Sequence, residues 1–566
     1  MRGCAKRLMC AAALLLISVP AWSQAPPVID ESVPPASDNY ALGPDSLPRP
    51  SVPAGKTFQF QLTRSRIFPG TVRTITVYIP AAYRGDKPAC VYVGFDGLGF
   101  NAATVFDNLI AQHAMPVTIG IGVSPGTVPS ANPPENPRFD RSMEFDSLND
   151  QLARFVLEEV LPAVEHHQTP DGKPILLSKN GNDRAIGGGS TGAIAAFTVA
   201  WERPDEFRRV FSAIGTYVGM RGGEQYYVLV RKTDPKPLRI FMEDGVHDEW
   251  PGGPEMGDWW MSNLTMNRAL EFAGYDVRHV WGTGTHNGSQ ASAVFPDAMR
   301  WLWRDWPAPI RAGSPGNPVL KAILKPGEDW QEAPERCRAM LAANPEGQIR
   351  CGEPGEAALA FAADGRFYQA EAGGGIEAGA SILGAALTIR NFTVRHNGDV
   401  YAVTGGELWL IRSSGETVKL DQGLKGAAGL AFSPDGLWLF VSQSLSRTGL
   451  SYRVHPDGTL DARAPFYDFD VPMWADDSGA AGIAMDRDGR AYVATRLGIQ
   501  VFDRNGRVSA ILPLPNNAAA TSLAFGGPDF DTLFVAAGGK VYRRKLQIQG
   551  APPWAAPAKL PPWGAG

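Results

Sequence analysis

Near residue 307 the hydrophobic pattern of this chain changes period, and that change limits the fold more than any other feature. Before it, strand-like and helix-like segments alternate. Phe58-Gln59-Phe60-Gln61-Leu62 and Arg73-Thr74-Ile75-Thr76-Val77-Tyr78-Ile79 alternate apolar and polar residues as half-buried antiparallel strands do. Cys90-Val91-Tyr92-Val93-Gly94-Phe95 is continuously apolar, as expected of a strand covered on both faces. Leu148, Leu152, Phe155, Val156, Val160 and Leu161 fall at helical spacing. This alternation predicts a mostly parallel sheet with helices on both faces over residues 56–306. The stretch 307–344, rich in Pro and Gly at its start, reads as a linker. Beyond it helical periodicity fades and a short phrase returns, turn residues ending in Gly and then an alternating strand. It stands at Asp364-Gly365-Arg366-Phe367-Tyr368, Asn397-Gly398-Asp399-Val400-Tyr401, Asp435-Gly436-Leu437-Trp438-Leu439 and Asp488-Gly489-Arg490-Ala491-Tyr492. A strand-turn repeat of roughly 40 residues predicts propeller blades over residues 345–546, with a β-sandwich as the alternative. Residues 547–566 form a Pro-rich tail.

A length of 566 residues calls for more than one core. The formal net charge of -5, with no long basic run, argues against a nucleic-acid partner. Arg2, Lys6 and Arg7 precede the apolar run Met9 to Val19 and then Pro20-Ala21-Trp22-Ser23. That order predicts a cleaved signal peptide over residues 1–24 and a periplasmic or secreted protein. The run is short of the roughly 20 residues a membrane anchor needs, and no stable membrane insertion is expected after cleavage. Residues 25–55, rich in Pro, Ser and Asp, read as a flexible leader. In an oxidising compartment Cys337 and Cys351 are candidates for a disulfide, whereas Cys90 reads as a buried strand residue.

Chemistry enters at Gly188-Gly189-Ser190-Thr191-Gly192. A short strand precedes it and the helix-like Ala193-Ile194-Ala195-Ala196-Phe197 follows. G-x-S-x-G in that setting is a nucleophile elbow, which holds the Ser190 hydroxyl clear of the sheet. The Thr191 amide, at the helix start, is one expected oxyanion donor, and Gly97 or Leu98 in the loop after an earlier strand is the other. A triad on such a sheet needs an acid and then a histidine after the serine. Of His247, His279 and His286, the last lies in a loop after a late strand and is the predicted general base. Asp248, beyond the turn at Gly245, is the predicted acid, with Asp244 the alternative.

Taken in order, Asp96-Gly97, the Ser190 elbow, the turn from Gly245 to Asp248 and Gly284-Thr285-His286 resemble the esterase D and enterochelin esterase branch of α/β hydrolases. Feruloyl and acetyl xylan esterases are similar. The resemblance covers about residues 57–306 and implies a serine esterase that needs no metal or other cofactor, acting on carbohydrate or siderophore esters. Arg221, Trp259 and Trp260 stand where such enzymes shape a substrate pocket.

The second half, from about residue 345 to 546, resembles the six-bladed SMP-30/gluconolactonase propellers. The similar phrases are Ala428-Gly429-Leu430-Ala431-Phe432-Ser433-Pro434-Asp435-Gly436 and Asp477-Ser478-Gly479-Ala480-Ala481-Gly482-Ile483. The family holds a divalent metal with Glu, Asn and Asp side chains. Here Ala428 and Ala481 stand at two of those positions, and the early Glu falls at Ala357, with Glu356 adjacent. An alanine side chain ligates nothing, so the expectation is a non-catalytic propeller; a metal-dependent sugar lactonase is the alternative.

Overall fold

The computed structural model describes residues 35–337, 340–352 and 358–562. The expected signal peptide, and the Glu356/Ala357 position, lie outside them. Among the described residues no helix is long and apolar enough to cross a membrane.

The first half is built on an eight-stranded sheet: β1 (Lys56–Leu62), β2 (Arg73–Ile79), β3 (Cys90–Phe95), β4 (Thr118–Val123), β5 (Arg184–Gly189), β6 (Arg209–Ala213), β7 (Arg239–Gly245) and β8 (Asp276–Gly282). The spatial order is β1-β2-β4-β3-β5-β6-β7-β8, antiparallel from β1 to β4 and parallel from β4 onwards. The continuous apolar run of β3 has its reason in the two cores. Val91, Val93 and Phe95 enter one hydrophobic cluster, while Cys90 and Tyr92 enter the cluster on the opposite face.

Helices α1 (Ala102–Ala111) and α6 (Ser289–Trp303) cover the second face. The first face is covered by four helices. They are α2 (Gln151–Phe155, continuing through the π segment Val156–Val160 into Leu161–Glu165), α3 (Thr191–Glu202), α4 (Gln225–Lys232) and α5 (Trp259–Ala273). Strands β5, β7 and β8 all run towards the same edge, and the loops leaving their carboxyl ends carry Ser190, Asp248 and His286.

The second half is a ring of blades. Among the described residues five blades of four or five strands form, where the family resemblance implied six. Blade 1 spans Leu359–Phe361 to Ser381–Leu383, blade 2 Asn391–Val394 to Thr417–Gln422 and blade 3 Ala427–Phe432 to Leu460–Asp468. Blade 4 spans Ile483–Asp486 to Val508–Leu512, and Gly550–Ala551 from the tail adds a fifth strand to it. Blade 5 takes three strands from Ala520–Gly526 to Lys540–Lys545 and its outer strand, Gln331–Glu332, from the segment read as linker. A two-stranded hairpin, Leu341–Ala343 with Ile349–Cys351, sits between the inner strands of blades 5 and 1. The Cys337–Cys351 disulfide ties its base. The linker reading therefore runs too long, because its last part already belongs to the propeller.

The leader also departs from expectation. From residue 36 on it is strapped down instead of loose: Asn108 Nδ2 donates to the carbonyls of Asp45 and Leu47, and Asp107 accepts from Gly55 N–H. These bonds involve backbone groups, which carry no compositional signature.

Candidate active site

At the end of β5 the chain turns through Ser190 with φ 57° and ψ -124°, a region an L-residue occupies at a cost of roughly 1–3 kcal/mol. The turn is held on both sides. Ser190 N–H donates to Ala213 O at 2.9 Å, and Ser190 O accepts from Ala193 N–H at 2.9 Å. Gly188 is required by close approach, since a Cβ there would lie 2.6 Å from the Gly192 carbonyl carbon.

His286 Nε2 lies 2.8 Å from Ser190 Oγ, and His286 Nδ1 lies 2.9 and 2.8 Å from the two carboxylate oxygens of Asp248. Asp248 is fully buried, and the imidazole is about a fifth exposed at 22%. Trp259 meets the imidazole edge-on at 5.7 Å, and its indole N–H donates to Thr216 Oγ1 at 3.2 Å. Thr216 N–H in turn donates to Ser190 O. The serine, the imidazole and the acid are thus packed as one unit.

Two further carboxyls lie behind Asp248. Burial, reinforced by the charge of Asp248, pushes Glu243 up to about 8. Burial and the same charge hold Asp244 well above the usual carboxylate range. Like charges in a dry site cannot all ionise. Glu243 and Asp244 are therefore both biased towards the neutral, protonated form.

The triad opens into a cleft of about 280 Å³. Arg141, Ser142 and Asp146 form one side, and Met220, Pro251 and Trp259 the other. Arg141 is fixed by a two-pronged pair with Asp96, both contacts at 2.8 Å. Its short helix, Arg141–Phe145, is anchored from beneath by Glu144, buried and paired with Arg73 at 2.6 Å. Phe139 at the rim is 64% exposed.

The family model described as "Putative esterase" matches residues 67–351, half of the chain. The chain belongs to this esterase family. A second model, "SMP-30/Gluconolactonase/LRE-like region", matches residues 360–539. Among solved structures, the enterobactin esterase of Shigella flexneri is 19% identical over 46% of this chain and 62% of its own, with a TM-score of 0.34. A ferulic acid esterase is 15% identical over 44% of this chain and 99% of its own, also at 0.34. A gluconolactonase of Xanthomonas campestris is 19% identical over 40% and 93%, again at 0.34. These likenesses are weak, and the family match carries the assignment. No curated protein is similar enough to count as a match.

In this esterase the other predicted site residues fall unequally. Thr191 lines the cleft and begins α3, where its N–H has no carbonyl of the same helix to meet. Gly97 is a poorer oxyanion candidate than its place in the sequence implied, because its N–H donates to Val123 O at 3.4 Å. The Leu98 side chain packs on Gly120 beside Phe106, which does not bear on the backbone N–H that an oxyanion would use. Arg221 lies at the rim, with Nε 3.3 Å from Ser142 Oγ. Trp259 is in the wall, but Trp260 is not: it packs edge-on against Trp281 at 5.3 Å, and its N–H donates to Asp248 O at 2.7 Å. Trp260 therefore helps to hold the Asp248 backbone and does not line the cleft.

Sequence reasoning missed Arg141, Asp146, Thr216 and the leader's part in the site. Asp38 accepts from Thr285 N–H and Oγ1–H, each at 2.8 Å, and its carbonyl accepts from Ser289 Oγ at 2.7 Å. Tyr40 OH accepts from Thr283 N–H at 2.8 Å. These bonds clamp the loop that carries His286. A Ser/Thr-rich loop, Thr283-Gly284-Thr285, that needs acceptors was the one available hint.

Proposed function

We propose that this esterase works through a covalent acyl-enzyme. Ser190 Oγ attacks the ester carbonyl while His286 Nε2 takes its proton, and His286 then returns that proton to the departing alcohol. Asp248 fixes the imidazole tautomer and offsets its charge. Asp244 and Glu243 are biased towards the neutral form beside Asp248. The Thr191 amide stabilises the oxyanion. The observation that carries the reading is the continuous hydrogen-bonded chain from Ser190 through His286 to a buried Asp248.

The substrate we propose is a carbohydrate ester carrying a feruloyl or acetyl group, with a siderophore ester as the second choice. The exposed Phe139 and the Arg141 and Arg221 guanidinia suit an aromatic acyl group bearing polar substituents. Export to the periplasm or beyond belongs to the same proposal. Its support is the basic and then apolar amino terminus, together with the Cys337–Cys351 disulfide, a bond that persists in oxidising compartments.

The lactonase alternative has less support. The axial channel of the propeller, about 120 Å³, is walled by residues such as Leu430, Ile483 and Leu523, and Trp554 of the tail lies in it. Ala428 and Ala481 offer only backbone carbonyls, and these already accept from Asn391 Nδ2 and Ser442 Oγ. Among the described residues that lining does not fit a divalent cation, and the propeller is proposed to be non-catalytic.

Hydrolysis of p-nitrophenyl acetate and methyl ferulate, with and without EDTA, tests the reading. Activity that ignores EDTA and disappears in Ser190→Ala is expected. Activity that dies with EDTA and survives in Ser190→Ala would overturn it.

A further inference from the structure

Where the two halves meet, a second and larger cleft of about 460 Å³ opens between helices α2 to α4 and the propeller loops. Polar contacts join the surfaces around it. Lys232 pairs with Asp470 at 2.8 Å, Arg544 with Asp234 at 2.6 Å, and Asn517 Nδ2 donates to Glu202 O at 2.7 Å. At its mouth the propeller presents two adjacent apolar side chains, Met473 and Trp474, each 52% exposed.

This loop also reaches the catalytic cleft. Met473 packs directly on Gly222, where a Cβ would come within 2.8 Å of its methyl carbon. Gly222 follows Arg221, and Met220, two residues before it, lines the wall beside Ser190. Residues 220–225 therefore separate the two clefts, with Met220 facing one and Gln225 the other.

The chemistry of the lining selects among ligands. The guanidinium groups are already neutralised: Arg154 by Asp150 at 3.0 Å, Arg203 by Asp205 at 2.7 Å and Arg496 by Asp477 at 2.7 Å. An anionic ligand would find no free cation among these three, and Lys236, a fourth cation of the lining, is buried with its Nζ donating to the Trp201 carbonyl. The cleft's walls are apolar in larger part, through residues such as Leu229, Leu497 and Leu514, with the amides of Asn149, Gln151 and Gln225 set among them. A neutral polyhydroxyl ligand suits both features, stacking an apolar sugar face on the exposed indole and hydrogen-bonding its hydroxyls to the amides.

We propose that the interdomain cleft is a carbohydrate-binding subsite, in which Trp474 is the platform and Asn149, Gln151 and Gln225 hold the glycan whose ester is cut at Ser190. The link to that ester rests on the serine-esterase reading above; binding of the glycan does not. The propeller then acts as the specificity wall of the esterase, a role that needs no metal.

The test uses full-length protein carrying Ser190→Ala, titrated with xylohexaose and followed by calorimetry. Saturable binding is expected. Adding Trp474→Ala should weaken it at least tenfold, and Trp474→Tyr, which keeps a stacking ring, should restore it to within threefold. In the active enzyme, kcat/KM for a feruloylated xylo-oligosaccharide relative to methyl ferulate should fall about tenfold in Trp474→Ala. No binding of xylohexaose, or equal affinity in all three proteins, overturns the subsite even where the esterase activity stands. Binding that depends on Trp474 in a protein that cleaves no ester would keep the subsite and overturn the serine-esterase reading instead.

Discussion

Gly245 ends β7 at the point where the loop bearing His286 crosses it, and replacing it with alanine should cripple turnover without unfolding the domain. A Cβ built there falls 2.2 Å from Gly284 O, 2.6 Å from its carbonyl carbon and 2.7 Å from its nitrogen. Carbon and its neighbours rest at about 3.5 Å, so relief needs a displacement on the order of 1 Å. Strand β7 cannot supply it, being buried along its length between β6 and β8. Gly284 must move, and His286 lies two residues on. The 2.8 Å contacts of His286 with Ser190 and Asp248 leave no slack for such a shift. A misplacement of about 1 Å costs roughly 100-fold in rate, and the overpacking itself about 1–3 kcal/mol of stability. Steady-state hydrolysis of p-nitrophenyl acetate by Gly245→Ala, beside its thermal melt, checks both numbers. A fall of about 100-fold in kcat with KM changed by less than threefold is expected. A variant with kcat within twofold of the parent would refute the reasoning that this crossing sets the position of His286.

Three other outcomes follow from the same geometry. Asp248→Asn should lower kcat by several orders of magnitude while leaving KM nearly unchanged, because the amide cannot stabilise the imidazolium; stopped-flow acylation checks this. Asp38→Ala removes the acceptor for two Thr285 donors and should lower kcat several-fold, with the affected loop seen as faster amide exchange at residues 283–288. Glu243 is raised to about 8 in the folded state, so it holds its proton between about pH 4.5 and 8 where the unfolded chain has lost it. Its contribution is therefore fully present below about pH 4.5 and is lost as pH rises towards 8, and Glu243→Gln should flatten that fall in melting temperature.

What the sequence made legible follows from how local each signal is. The elbow at Gly188 to Gly192 was legible because its chemistry and its sterics both reside in adjacent residues. The eight-stranded sheet was legible because each strand carries its own period and the two faces of β3 are both apolar. Asp248 and Asp244 could not be separated in the same way. Both lie close to the carboxyl end of β7, and only the packing of β7 against β8 shows which one faces the imidazole. Blade number misled for a related reason. The hairpin at Leu341–Ala343 and Ile349–Cys351 fills a place in the ring with two strands instead of four, and the outer strand of blade 5 comes from a segment whose Pro and Gly content marks it as linker. Arg141 and the Asp38 clamp were invisible because neither belongs to a motif. Each acts across a long sequence separation, Arg141 on Asp96 and Asp38 on Thr285.

The central claim is that Ser190 is an activated nucleophile, and covalent capture tests it most directly. The protein would be treated with a fluorophosphonate ester, digested, and its peptides weighed. The account predicts a single phosphonylated residue, Ser190, with labelling abolished in Ser190→Ala and slowed by several orders of magnitude in His286→Ala. Label found on another residue, or an unmodified Ser190 in a protein that still hydrolyses esters, would contradict it.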